Sequence, residues 1–252
     1  MEENVLQRIR CIIQYDGTNY AGYQVQLNGK TVQEKLEKVL TKIHKGRKIK
    51  VIASGRTDSG VHAIGQVIHF DTELKLPMEN WKRALATMLP ADITVTKAEP
   101  VSSDFHARYD TTGKEYRYFI WNSKEPNIFK RHYYYHIRKE LDVPAMKEAC
   151  RYIEGEHNFT SFCSPKSDVK GSKVRTIHQA SVVQKGEELI FQFKGSGFLY
   201  NMVRIIVGTL LEVGHHEREP ADIPSILEKE NREFAGNTAP PHGLFLWKVD
   251  YE

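Results

Sequence analysis

Ile9, Cys11, Ile13 and Tyr15 fall two residues apart in Ile9-Arg10-Cys11-Ile12-Ile13-Gln14-Tyr15, and the segment predicts a strand. Asp16-Gly17-Thr18-Asn19 reads as the turn that ends it. The period then changes. Val32, Leu36, Val39, Leu40 and Ile43 recur three and four residues apart, which predicts an amphipathic helix over 32–44. Thr31, with Glu34 three residues later, forms a capping box at its start. Strand-like segments follow near 49–54 and 61–71. A second helix is predicted from Asn80 to Met88, with Trp81, Leu85 and Met88 on one face, and then a strand at Ile93-Thr94-Val95-Thr96. This β-α-β-β-α-β order is that of a ferredoxin-like unit with an antiparallel sheet.

A similar order of elements returns later, without a repeat in the sequence itself. Lys114 to Trp121 predicts a strand with aromatic residues on both faces. Val143 to Glu154 predicts a helix capped by Asp142 and ending at Gly155. Phe159 to Phe162 reads as a short edge strand. Thr176–Val183 and Glu188–Lys194 read as a strand pair joined at Lys185-Gly186-Glu187. Phe198 to Val213 is a strongly apolar helix ended by Gly214, Ile223 to Glu230 a polar helix, and Leu244 to Asp250 a closing strand. The expected class is therefore α+β: two ferredoxin-like, RRM-like halves, 1–104 and 105–252, with predominantly antiparallel sheet, helices on one face and a cleft between the halves. No Pro/Gly/Ser-rich linker marks the boundary, so one continuous sheet is compatible with the pattern.

Charge adds to this picture through its distribution more than its total. The net charge of the 252-residue chain is +4. Residues 1–60 carry 11 Lys+Arg against 6 Asp+Glu, residues 161–205 carry 7 against 3, and residues 212–252 carry 4 against 9. A basic surface favours an acidic partner such as nucleic acid. A composition of 40% hydrophobic and 27% charged residues is that of a soluble globular protein. No apolar run is long enough to span a bilayer, and Met1-Glu2-Glu3-Asn4 lacks the basic start of a signal peptide. Cys11, Cys150 and Cys163 lie far apart, without metal or redox spacing, which fits a reducing, cytoplasmic compartment.

The segment richest in chemistry is Gly55-Arg56-Thr57-Asp58-Ser59-Gly60-Val61-His62-Ala63. Two glycines bound a bend between two strands and let the backbone turn sharply. A carboxylate held on such a bend can act as nucleophile, general base or ion-pair partner, although Asp, Ser and Gly are also ordinary turn residues. Arg56, two residues before Asp58, points to the same side of an extended backbone. Arg204 stands in an otherwise apolar helix. A guanidinium cannot be neutralised, so burial there demands an anion or several acceptors; the alternative is an arginine that snorkels to water. Tyr116 offers a flat ring on its strand, for packing or for stacking on a base taken out of an RNA. Lys166, Lys170, Lys173 and Arg175 surround Asp168 in a Ser/Gly-containing loop suited to phosphates. The histidines show no coordinating pattern and there is no Walker-type loop, so neither metal nor nucleotide cofactor is indicated.

The nine-residue string resembles the active-site motif of the TruA family of tRNA pseudouridine synthases. Gly197 to Arg204 and Lys114-Glu115-Tyr116-Arg117-Tyr118 resemble that family's second and third motifs. Tyr15 to Gln24, Thr31-Val32-Gln33 and Phe105-His106-Ala107-Arg108 match it in the same order. Tyr23 stands where the family commonly has tryptophan, and Lys30 where it commonly has arginine. The resemblance implies a cofactor-free isomerase acting on uridines 38, 39 and 40 of the tRNA anticodon stem-loop, and a homodimer whose two subunits both touch one tRNA. It implies Asp58 as the catalytic carboxylate, Arg204 as its ion-pair partner and Tyr116 as a stacking surface. Whether such an aspartate adds to the sugar C1′, abstracts a sugar proton or adds to uracil C6 is open at this level. A tRNA-binding module without activity, and a metal-dependent nuclease, are the competing classes. The set Arg56, Asp58, Tyr116 and Arg204 speaks against the first, and the lone candidate carboxylate against the second.

Overall fold

The computed structural model describes residues 6–167 and 170–252; Met1–Asn4 and Asp168 lie outside the described residues. The fold is α+β, with five α-helices and ten strands in mostly antiparallel pairing among the described residues. The chain divides into two compact units, Met1–Thr112 with Leu246–Glu252, and Gly113–Phe245.

In the first unit, β1 (Gln7–Tyr15) runs antiparallel to β3 (His62–Thr72) on one side and β4 (Ile93–Val101) on the other. β2 (Ile52–Ala53) pairs with β3. With α1 (Val32–Ile43) and α2 (Met78–Met88) this is the expected ferredoxin-like order. The two-residue period of β1 is its burial pattern. Ile9, Cys11 and Ile13 are fully buried, with Ile9 opposite Phe70 and Cys11 opposite Ile68. Leu36 and Leu40 of α1 and Trp81 and Leu85 of α2 complete the core, and Trp81 meets Phe70 edge-on at 5.3 Å. The Thr31 side chain accepts from the Glu34 N–H at 3.3 Å, satisfying one of the orphan donors of the helix start.

In the second unit, β5 (Thr111–Asn122), β9 (Glu188–Gly195), β8 (Val174–Lys185) and β7 (Gly155–Asn158) are neighbours in that order, all antiparallel. A short β6 (Tyr135–Ile137), absent from the sequence reading, lies parallel to the end of β5. α3 (Val143–Arg151), the apolar α4 (Met202–Gly214) and α5 (Asp222–Glu228) are its helices. β10 (Leu244–Tyr251) begins in this unit and ends in the first.

Four of the differences from the sequence reading trace to a local cause. The 49–54 strand shrinks to β2 because α1 side chains take its backbone: Glu37 accepts from the Val51 N–H at 3.1 Å, and Gln33 donates to the Val51 carbonyl at 3.2 Å. Phe159–Phe162 is not an edge strand but a 3-10 turn at Thr160–Phe162. Asn158 Oδ1 accepts from both the backbone N–H and the hydroxyl of Thr160, drawing the chain out of extended form; the edge strand is the preceding β7. α3 stops at Arg151, where its last turn tightens before Gly155 at φ +106°. α4 starts at Met202 rather than Phe198, because Asn201 is left-handed at φ +61° and the Tyr200 carbonyl accepts from Ser164 instead.

Candidate active site

Asp58 lies half-buried on the bend between β2 and β3, with Arg56 exposed beside it. The bend is braced by residues 17–23. The Gly60 N–H and the Ser59 hydroxyl both donate to the Tyr20 carbonyl, at 3.3 and 3.2 Å, and the Tyr23 N–H donates to the Thr57 carbonyl at 3.1 Å. Two glycines make this approach possible. A Cβ at Gly22, where φ is +111°, would lie 2.9 Å from the Thr57 carbonyl oxygen, and one at Gly17 would lie 2.0 Å from that of Val61. Buried His62 holds the same approach from below, its Nδ1 accepting from the Gly17 N–H at 3.0 Å.

Thr57, between the two charged residues, is buried. Its hydroxyl shares a hydrogen bond of 2.7 Å with the Tyr15 hydroxyl. Gln66 donates to the Gly55 carbonyl at 3.0 Å and accepts from the Ser54 hydroxyl at 2.6 Å. Buried side chains thus pin the backbone on both sides of Arg56. Burial pushes the Tyr15 phenol up to about 12; its hydrogen bonds to Thr57 and Gln66 oppose the shift and the Asp58 charge adds to it. The phenol therefore stays protonated and a hydrogen-bond donor at neutral pH. None of Tyr15, Thr57, Gln66 and Ser54 was singled out as a site residue from sequence. They are separated by up to 51 residues, and no local signal joins them.

In the second unit, Tyr116 is buried on β5, opposite Phe193 of β9, and packs edge-on against Phe198 at 5.0 Å. Arg204 is half-buried in the first turn of α4. Its Nε donates to the Ala239 carbonyl at 2.7 Å and its Nη1 to Asn201 Oδ1 at 2.9 Å, while its own carbonyl accepts from the Ala239 N–H at 3.0 Å. It is therefore a held side chain rather than one that snorkels. The 236–240 segment runs directly against α4. A Cβ on Gly208 would lie 1.7 Å from the Asn237 carbonyl oxygen, and the Tyr118 hydroxyl donates to the Pro240 carbonyl at 2.8 Å. The sequence reading assigns nothing to residues 236–240, and this clasp is not foreseen there.

Arg175 donates to the carbonyls of Ser172 and Val174 and lies beside Gly197. The 197–204 segment therefore passes Arg175, Tyr116 and Arg204 in turn. Lys166 and Lys170 are exposed on the preceding loop and Lys173 is half-buried; no hydrogen bond or ion pair among the described residues draws these three side chains into that group. Among the described residues no three His, Cys, Asp or Glu side chains converge as a metal-ligand set, and no helix is long and apolar enough to cross a membrane. All three cysteines are free and buried, and burial raises the Cys11 and Cys150 thiols to about 12, far from a reactive range.

Residues 11–110 and 149–252 match the protein family described as tRNA pseudouridine synthase. The protein named tRNA pseudouridine synthase A of Anoxybacillus flavithermus is 58% identical over 247 residues, 98% of this chain and all of that one. The proteins of that name from Oceanobacillus iheyensis and Geobacillus kaustophilus are 53% and 54% identical, over 98% of this chain and 98% and 95% of theirs.

Proposed function

The chain belongs to the tRNA pseudouridine synthase family and is an isomerase of that family; from that premise we propose that it converts uridine to pseudouridine at positions 38, 39 and 40 of the tRNA anticodon stem-loop, without a cofactor and with Asp58 as the catalytic carboxylate. The N1–C1′ bond of the target uridine breaks, the uracil turns while held, and C5 bonds to C1′. The C5 proton then leaves to water and N1 gains one, so no electrons are exchanged with any other molecule.

The observation that carries this reading is the bracing of the Asp58 bend. Its backbone is fixed from one side by Tyr20 and Tyr23 and from beneath by Tyr15 and Gln66. Preorganisation of this kind suits a group that must meet a reacting atom, and a solvated turn does not need it. Arg204 is assigned as the ion-pair partner that keeps Asp58 ionised and directed. A guanidinium has five N–H donors, enough to serve Ala239, Asn201 and a carboxylate together. Tyr116 is assigned to stack on the extruded uracil, and Arg56 to meet RNA phosphate or take the place of the base. Lys166, Lys170, Lys173 and Arg175 are assigned as a phosphate clamp. The working form is assigned as a cytoplasmic homodimer that shares one tRNA.

The test is a pseudouridine map, by primer extension after carbodiimide treatment, of unmodified tRNA incubated with the purified protein in EDTA. New stops confined to positions 38–40 are expected. An RNA bound but unmodified, or cut, contradicts the proposal.

A further inference from the structure

The outer face of α1 carries a row of lysines. Lys35, Lys38 and Lys42, then Lys45 just past the helix end, are spaced three, four and three residues apart and so form one ridge. Val32, Leu36 and Leu40 are buried on the other face. Lys38, Lys42 and Lys45 are exposed, as are Arg47, Lys48 and Lys50 in the connection to β2. Residues 35–50 hold seven cations and one acid, Glu37, whose carboxylate serves Gln33 and the Val51 N–H. Elsewhere in this unit several cations are paired: Arg8 with Asp71, Arg10 and Lys97 with Glu99, Lys30 with Asp92. Here Arg47 meets Glu73, and the six lysines form no ion pair with a described residue. Like charges at i,i+4, such as Lys38 and Lys42, cost a helix stability. The helix dipole accounts for a cation in the last turn, but not for a row reaching back to Lys35.

The start of this ridge is tied to the candidate site. Val32 and Gln33 donate backbone N–H groups to the carbonyls of Gly22 and Tyr23, at 3.3 and 2.9 Å, and Tyr23 donates to Thr57 on the Asp58 bend. At 1.5 Å per residue the ridge then leads roughly 20 Å away, from Val32 to Lys45. Lysines are flexible point charges without a planar fork. They suit phosphates and read no bases.

We propose that this ridge is a docking surface for the sugar–phosphate backbone of a helical arm of the RNA substrate, which it holds while the target uridine lies at Asp58. The inference rests on the isomerase reading above, and the test separates the two. Binding of unmodified tRNA to the full chain is measured across a series of KCl concentrations, beside steady-state kinetics, for wild type and the triple variant Lys38→Gln/Lys42→Gln/Lys45→Gln. Each phosphate contact contributes about 0.9 to the slope of log K against log salt on a duplex. The triple variant is expected to lose about 2 to 3 from that slope and to raise KM roughly tenfold or more, the loss falling on KM rather than kcat. The matching triple Lys→Arg variant should restore both. An unaltered slope and KM, or a loss that arginine does not rescue, would overturn the docking surface. Absence of pseudouridine from wild type would overturn the isomerase reading instead, because the slope is measured without turnover.

Discussion

Thr57 faces the interior while Arg56 and Asp58, on either side of it, do not. That alternation allows a three-residue string to carry two polar side chains outward and still be anchored. The anchor is the Tyr15 hydroxyl, 2.7 Å from Thr57 Oγ1. Removing it leaves a buried hydroxyl without this partner, a defect of about 1–3 kcal/mol. The expected result for Tyr15→Phe is a kcat lowered about tenfold, equivalent to ~1.4 kcal/mol of barrier, with KM for tRNA within twofold of wild type. A thermal melt in the same buffer reports the stability cost separately. An unchanged kcat would show that the hydrogen bond stabilises the fold without positioning Asp58.

Among the elements, those written by local rules were legible. The spacing of Val32, Leu36 and Leu40 and the Thr31 cap were enough for α1, because propensity, period and capping agree there. The alternation of Ile9, Cys11 and Ile13 was enough for β1. Elements were misread where a side chain competes for the backbone. Asn158 turns the next residues into a 3-10 turn, Glu37 and Gln33 take the partners of Val51, and left-handed Asn201 delays α4. The site was legible as a glycine-bounded bend and an odd arginine in an apolar helix. The partners that hold them were not, since Tyr15 lies 42 residues from Thr57 and Ala239 lies 35 from Arg204. Gly208 shows how closely one such partner is packed. In Gly208→Ala the new methyl meets the Asn237 carbonyl, on the segment that also receives Arg204. A destabilisation of about 3 kcal/mol is expected, at the upper end for overpacking, read as a lower midpoint in urea with an unchanged m-value. A midpoint equal to wild type would mean that the 236–240 segment yields easily.

For the whole molecule, the candidate groups divide between two units: Arg56 and Asp58 in the first, Tyr116, Arg204 and the 166–175 cations in the second. A chain read from one end to the other gives no physical rule for joining residues about 146 positions apart, and the pairing of Arg204 with Asp58 is a proposal that the family resemblance implies. The balance of charge, basic over 1–60 and 161–205 and acidic over 212–252, puts an excess of cations in a stretch of each unit, the first holding Arg56 and Asp58 and the second Arg204 and the 166–175 cations. The central claim is that the Asp58 carboxylate performs the isomerisation. Pseudouridine formation expels the hydrogen from uracil C5, so tritium released from tRNA labelled at that carbon counts the reaction directly. Wild type is expected to release it at the labelled target uridines. Asp58→Asn, which keeps the size of the side chain and removes its charge, is expected to bind the same tRNA and release none above background. Release by Asp58→Asn at the wild-type rate would contradict the account.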